Sequence, residues 1–201
     1  MRIKKIIISL LLISLSSCTT SVSSGLTWRS MGSLDVIYAP GLQVNKPTSA
    51  DWETAAEYHQ GKKIKQLIFR EVVPGGSDHT AIAHVRAIGP RRGVVNAHAL
   101  AAEMKRSFNL TRGLSNSSQN IEVGRNCAYD CVRFEFSGNR TGSKADKDQK
   151  FAFHGNGYWY LHPTQDAIFE VFFSERFPAE ASRRYDNSTL RKFLKSLRFV
   201  S

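Results

Sequence analysis

The chain is poor in the features that mark the common enzyme classes. It has no G-x-x-x-x-G-K-[ST] phosphate loop, no G-x-G-x-x-G fingerprint and no G-x-S-x-G elbow, so nothing marks a nucleotide-binding, dinucleotide-binding or α/β-hydrolase site. Cysteine is scarce: Cys18, Cys127 and Cys131 are the full complement of three. Their spacing is not the C-x-x-C of redox enzymes, and no histidine lies close enough to Cys127 and Cys131 to complete a four-ligand zinc site. Long apolar runs are missing as well. The run from Ile6 to Leu15, broken by Ser9 and Ser14, falls short of the roughly 20 residues that a membrane-spanning helix needs. There are no internal repeats, and no second linker marks off a further domain. Acidic residues are the minority, 17 against 28 Lys and Arg, for a net charge of +11.

What is present starts at the N-terminus. Arg2, Lys4 and Lys5 precede the apolar run, and small residues lead from it to Cys18. This is the three-part layout of an export signal. Leu15-Ser16-Ser17-Cys18 resembles the bacterial lipobox. The resemblance implies a lipoprotein signal peptide over residues 1–17, cleavage before Cys18, and a diacylglycerol on the Cys18 thiol. Acyl chains contribute about 0.8 kcal/mol per buried CH₂, so two or three of them hold a protein durably on a membrane. Thr19, rather than Asp, follows the cysteine, which by the same resemblance points to the outer membrane, with the protein facing the periplasm. Export also makes glycosylation of the N-x-[ST] sites at Asn109, Asn116, Asn139 and Asn187 not expected.

Loss of the leader removes three positive charges and no negative ones, leaving +8 on the mature chain. In the envelope such a surface meets phospholipid headgroups, lipopolysaccharide or wall polymers, and nucleic acid is not an expected partner. The excess charge serves solubility equally well. Oligomeric state is not legible.

An oxidising compartment favours a disulfide between Cys127 and Cys131. Four strand steps would part them by about 13 Å, beyond a disulfide's reach, so "CAYDC" must be a tight or helical turn. A hairpin tip between "QNIEV" and "VRFEF" meets that condition.

Along the mature chain, residues 18–33 read as a Ser/Thr-rich tether and 34–201 as one domain. "LDVIYAPGLQV" is extended around a Pro40-Gly41 turn. "TSADWETAAEYHQG" suits a short helix. "IKQLIFREVV" and "HTAIAHVRAIG" read as strands around the turn "PGGSD". Ala97, Leu100, Ala101, Met104 and Phe108 recur at helical spacing behind Asn96 as N-cap. "NLTRGLSNSSQN" reads as a polar loop. Val132, Phe134 and Phe136 alternate on one strand face, and "HGNG" suggests a turn or bulge before "YWYLHP". "IFEVFF" is apolar on both faces, as in a covered interior strand. The chain closes on a helix with Asp186 or Asn187 as cap and a stripe of Leu190, Phe193, Leu194 and Leu197. This order describes an α+β domain, an antiparallel sheet packed by helices.

That order, with "GLQVNKPTSADWET" early and "LRKFLKSLRF" at the end, resembles the Mog1/PsbP-like superfamily over about residues 34–199. The resemblance implies an α/β/α sandwich and non-enzymatic roles in binding or assembly. It carries over no functional residue.

No catalytic or metal site emerges from the residues. His79 and His84 should point to opposite faces of a strand, whereas a hairpin at "HGNG" would bring His154 and His162 together. His98 reads as ordinary packing or solvent exposure. The densest aromatic stretch, Tyr158, Trp159 and Tyr160, places Trp159 opposite the two tyrosines. With Arg133 and Arg140 it forms a candidate ligand surface for sugars or anionic polymers. The expectation is therefore a non-catalytic, lipid-anchored envelope protein, without cofactor beyond the lipid on Cys18, that binds a protein partner or supports assembly. The alternative is a polyanion- or glycan-binding module using basic loops and exposed aromatics.

Overall fold

Strand formation dominates this chain because β-branched and aromatic residues alternate with polar ones over long segments, while the interior run "IFEVFF" is apolar on both faces. The computed structural model describes residues 27–39, 41–48, 50–58, 64–73, 78–142 and 148–200. The expected leader, Cys18, most of the tether, the "PGGS" turn and the charged loop at 143–147 lie outside the described residues.

Eight strands form one antiparallel sheet: β1 (Arg29–Ser30), β4 (Trp52–Tyr58), β5 (Ile64–Glu71), β6 (Thr80–Ala87), β10 (Ile168–Pro178), β9 (Lys150–Leu161), β8 (Cys131–Thr141) and β7 (Ser115–Val123), in that spatial order. A smaller sheet joins β2 (Val36–Ala39), β3 (Leu42–Asn45) and β11 (Arg198–Phe199), with β3 in the middle. Two helices complete the fold, α1 (Ala97–Ser107) and α2 (Asn187–Leu194). Neither is long and apolar enough to cross a membrane.

Alternation along the strands sends side chains to two separate cores. On one face Phe69, Val85, Tyr160 and Phe173 pack against Leu190, Phe193 and Leu194 of α2 and against Leu42 and Val44 of the small sheet. Phe193 meets Phe69 edge-on at 5.8 Å between ring centres. Truncating so buried a ring to alanine costs about 3–5 kcal/mol. On the other face Leu100, Ala101 and Met104 of α1 cover Val132, Phe134, Trp159 and Ile168. "IFEVFF" is covered on both sides, as its composition requires.

Both helices begin as expected. The Asn96 side chain accepts a hydrogen bond from the Ala99 amide at 2.9 Å, and Asp186 accepts one from Thr189 at 2.7 Å. The latter bond to the backbone, helped by the Ser188 hydroxyl, holds the Asp186 acid at about 2. Lys105 and Arg106 in the last turn of α1 complement its dipole.

Five expectations are corrected. The ordered fold starts before Leu34: Arg29 and Ser30 pair with β4, and Met31 is buried. The segment read as a short helix is β4, because pairing with β1 on one side and β5 on the other outweighs its alanines' helical preference. The second half of the polar loop over 109–120 belongs to β7. Being an edge strand exposed along most of its length, it shows no apolar alternation to read. "HGNG" neither turns nor bulges but runs straight through β9. Last, α2 stops at Leu194 and the tail becomes β11, although Leu197 still enters the core.

Candidate functional site

Register across β8 and β9 sets Arg133 opposite Tyr158 and Glu135 opposite Asn156. Beside them α2 presents Asn187 and Arg191, and Lys195 follows its last turn. The spacing of four puts these three on one side of the helix, away from the Leu190–Phe193–Leu194 stripe. The loop after β7 adds Arg125 and Asn126. Together these elements enclose a cleft of about 500 Å³ floored by Asn156, Gly157 and Tyr158.

The loop is built to stand there. Cys127 and Cys131 lie at disulfide distance, with Cα atoms 6.4 Å apart, at the tip of the β7–β8 hairpin, where the sequence placed them. Gly124 gives its amide to the Cys131 carbonyl, and a Cβ there would collide with the Cys131 sulfur. Tyr129, within the disulfide loop, packs against Phe199 with the rings tilted by 52°, and its hydroxyl accepts the Phe199 amide at 3.2 Å. Lys195 Nζ donates to the Arg125 carbonyl at 2.7 Å, joining loop to helix.

The electrostatics of the cleft are one-sided. Arg133 is satisfied, with Glu122 at 3.1 Å and Glu135 at 2.7 Å. Arg125, Arg191 and Lys195 form no ion pair with any carboxylate among the described residues. Burial, then the neighbouring Arg191 and Arg133, pushes the Lys195 ammonium pKa down. Burial raises the Tyr158 hydroxyl pKa against the pull of Arg133 and Arg191, so this group stays a donor. Asn156 is 3% exposed, and its amide nitrogen has no hydrogen-bond partner among the described residues. A buried donor left unpaired costs about 1–3 kcal/mol, so Asn156 is a costly residue to keep beneath the cleft. Among the described residues, Glu122, paired with Arg133, is the one carboxylate in the cleft lining; the other charged groups there are cations.

Next to the cleft, His154 contacts Glu135 at 3.0 Å. Burial and then Arg183 lower the His154 pKa. Burial works to raise the Glu135 pKa, but His154 and Arg133 outweigh it and hold it low. Glu175, further in, contacts His79 at 2.5 Å and accepts the Arg184 amide at 2.7 Å. Among the described residues no group of three His, Cys, Asp or Glu side chains converges to hold a metal ion.

The candidate ligand surface is thus redrawn. Arg133 and Tyr158 do come together. Trp159 is 0% exposed on the opposite face, stacked on Phe134 at 4.2 Å and donating to Glu170 at 2.7 Å. Tyr160 is buried and its hydroxyl donates to the Leu194 carbonyl at 2.7 Å. Arg140 sits toward the far end of β8, opposite Phe151. These three aromatics form no exposed surface, because Trp159 and Tyr160 are covered on opposite faces of β9 and Tyr158, 8% exposed, only edges onto the cleft. His79 and His84 do face opposite ways, toward Glu175 and Glu170. His154 and His162 do not meet, since the strand between them continues; His162 instead accepts the Thr164 and Gln165 amides.

The reading of the residues missed Asn156, Arg125, Arg191 and Lys195. The polar i, i+4, i+8 stripe Asn187–Arg191–Lys195 was legible; the buried Asn156, inside a segment taken for a turn, was not. Comparison with protein-family models, curated proteins and solved structures finds no match to this chain.

Proposed function

We propose that this chain is a non-catalytic, lipid-anchored protein of the bacterial cell envelope whose α+β domain binds an anionic ligand or partner in the cleft beside α2. The observation that carries the reading is the trio Arg125, Arg191 and Lys195, without carboxylate partners among the described residues, around the unpaired amide of Asn156. Cationic side chains without carboxylate partners on a concave surface concentrate counter-charged ligands. Apart from Glu122, which is paired with Arg133, the charged groups lining the cleft are cations, an arrangement that supports binding of an anion.

The anchor rests on the leader and on Leu15-Ser16-Ser17-Cys18, which support export, lipid on Cys18 and a periplasm-facing place at the outer membrane. Two helix-bearing layers on either side of an antiparallel sheet are compatible with the Mog1/PsbP-like resemblance. Edge strand β7 supports a second reading, capture of a protein segment by strand addition, since β8 is its sole strand neighbour among the described residues.

A salt titration tests the principal reading. Retention of the mature chain on an immobilised polyanion should fall steeply as ionic strength rises. Salt-insensitive recovery of one protein partner would favour strand capture instead. Metabolic labelling with a fatty acid should tag the wild type and spare Cys18→Ser; an unlabelled wild type would remove the anchor from the account.

A further inference from the structure

Resting on the anion-binding reading, we infer that the cleft beside α2 is a site for a phosphate monoester. Three features separate this ligand from other anions. The first is charge. Arg133 is held by two carboxylates, Glu122 and Glu135, so Arg125, Arg191 and Lys195 are the cations without carboxylate partners among the described residues, and four cations against two carboxylates leave a net charge of +2 in and beside the cleft. A carboxylate brings one negative charge to these three cations, whereas a phosphate monoester brings about 1.5 to 2 at neutral pH.

The second feature is the direction from which donors arrive. Arg125 comes from the β7–β8 loop, Arg191 and Lys195 from α2 and its C-terminal end, and Asn156 and Tyr158 from the sheet below. A planar carboxylate presents two oxygens in one plane. A tetrahedral phosphate presents three terminal oxygens and accepts from three sides at once. The Asn156 side chain lies beneath the cations, its amide nitrogen buried and without a partner among the described residues. The Tyr158 hydroxyl also has no hydrogen-bond partner among the described residues.

The third feature is size. A volume of about 500 Å³ exceeds what a bare phosphate fills and suits a small organic molecule. Val123, Leu194 and the Gly157 backbone line part of the cleft, and the Asn126 and Asn187 side chains stand exposed at its rim. Those amides both donate and accept, which matches the hydroxyls of a sugar or glycerol carried on the ester. Such a group occurs in soluble sugar phosphates and in phosphomonoester lipid headgroups, and the cleft's chemistry is common to both.

Calorimetric titration of the mature chain carrying Cys18→Ser, so that no anchor inserts, tests this with glucose 1-phosphate and glucuronate as matched probes. Glucose 1-phosphate should bind at least about tenfold more tightly than glucuronate, in line with hydrogen bonds to a more highly charged acceptor. Arg191→Gln, on the exposed side of α2, should weaken it by about tenfold with unfolding unchanged. Asn156→Leu should weaken it too, and its circular dichroism would report any loss of fold. Vesicles of phosphatidylcholine with phosphatidic acid distinguish the sources. Capture that glucose 1-phosphate reverses assigns a lipid headgroup, and no capture alongside tight solution binding assigns a soluble ester. Equal or tighter binding of glucuronate overturns the phosphate assignment while leaving an anion site. Binding of neither probe overturns both.

Discussion

Gly157 lies directly beneath the ring of Phe134: a Cβ at this position would stand 2.5 Å from the ring's Cζ and 2.5 Å from the Val171 carbonyl oxygen. Gly155 is in the same position under Phe136, with the nearest ring carbon at 2.4 Å. The two glycines let phenylalanines from β8 lie flat on β9, beside the Phe134–Trp159 stack. Gly157→Ala should lower unfolding free energy by about 1–3 kcal/mol, the usual cost of overpacking. Phe134→Leu should recover only part of it, because the Val171 carbonyl remains in the way. Thermal unfolding of the two single variants and the double variant measures this.

Glu170 makes the fold acid-sensitive. It is buried, and burial alone would raise its pKa; Arg86 at 2.7 Å, His84 at 2.5 Å and the Trp159 indole bring it down to about 2 instead. The folded value lies below the unfolded one near 4.5, so the contribution is complete above pH 4.5 and is lost as pH falls toward 2. Chemical denaturation across that window should show stability dropping for the wild type. In Glu170→Gln the slope should flatten, and stability at neutral pH should be lower by about 3–5 kcal/mol, as for removing one partner of a buried ion pair.

The Cys127–Cys131 bridge closes a short loop, and a chain-entropy estimate gives it about 2 kcal/mol. Mass spectrometry of the protein without reduction should show the two residues linked. Two free thiols would contradict it. Because the same hairpin carries Arg125, the Cys127→Ser/Cys131→Ser variant should also bind anions more weakly than its loss of stability explains.

The cap of α1 gives a smaller effect. Asn96→Ala removes the acceptor of the Ala99 amide and should cost about 1 kcal/mol. It should leave anion binding unchanged, since α1 covers the opposite face from the cleft.

The fold was legible wherever one face of an element differed from the other. The stripes of α1 and α2, the alternation of Val132, Phe134 and Phe136, and the doubly covered "IFEVFF" all carried their burial in their spacing. Legibility failed where long-range pairing decided the outcome. An edge strand such as β7 buries little, so its composition resembles a loop, and β4 is a strand because β1 and β5 flank it. The glycines of β9 read as breakers because the rings that need them lie on another strand. For the site, Arg133 and Tyr158 were found, but Asn156, Arg125 and Lys195 come from three segments that meet only in the folded chain.

The central claim is that the cleft, rather than the surplus of positive charge, binds anions. Arg191 and Lys192 are neighbours on α2, both exposed, and only Arg191 lines the cleft. Arg191→Glu and Lys192→Glu therefore change net charge identically, and the two variants can be compared on an immobilised polyanion at one ionic strength. At physiological salt the Debye length is about 8 Å, which limits effects from outside the site. The account predicts that Arg191→Glu weakens binding by more than about tenfold and Lys192→Glu by less than about threefold. Equal losses in the two variants would contradict it.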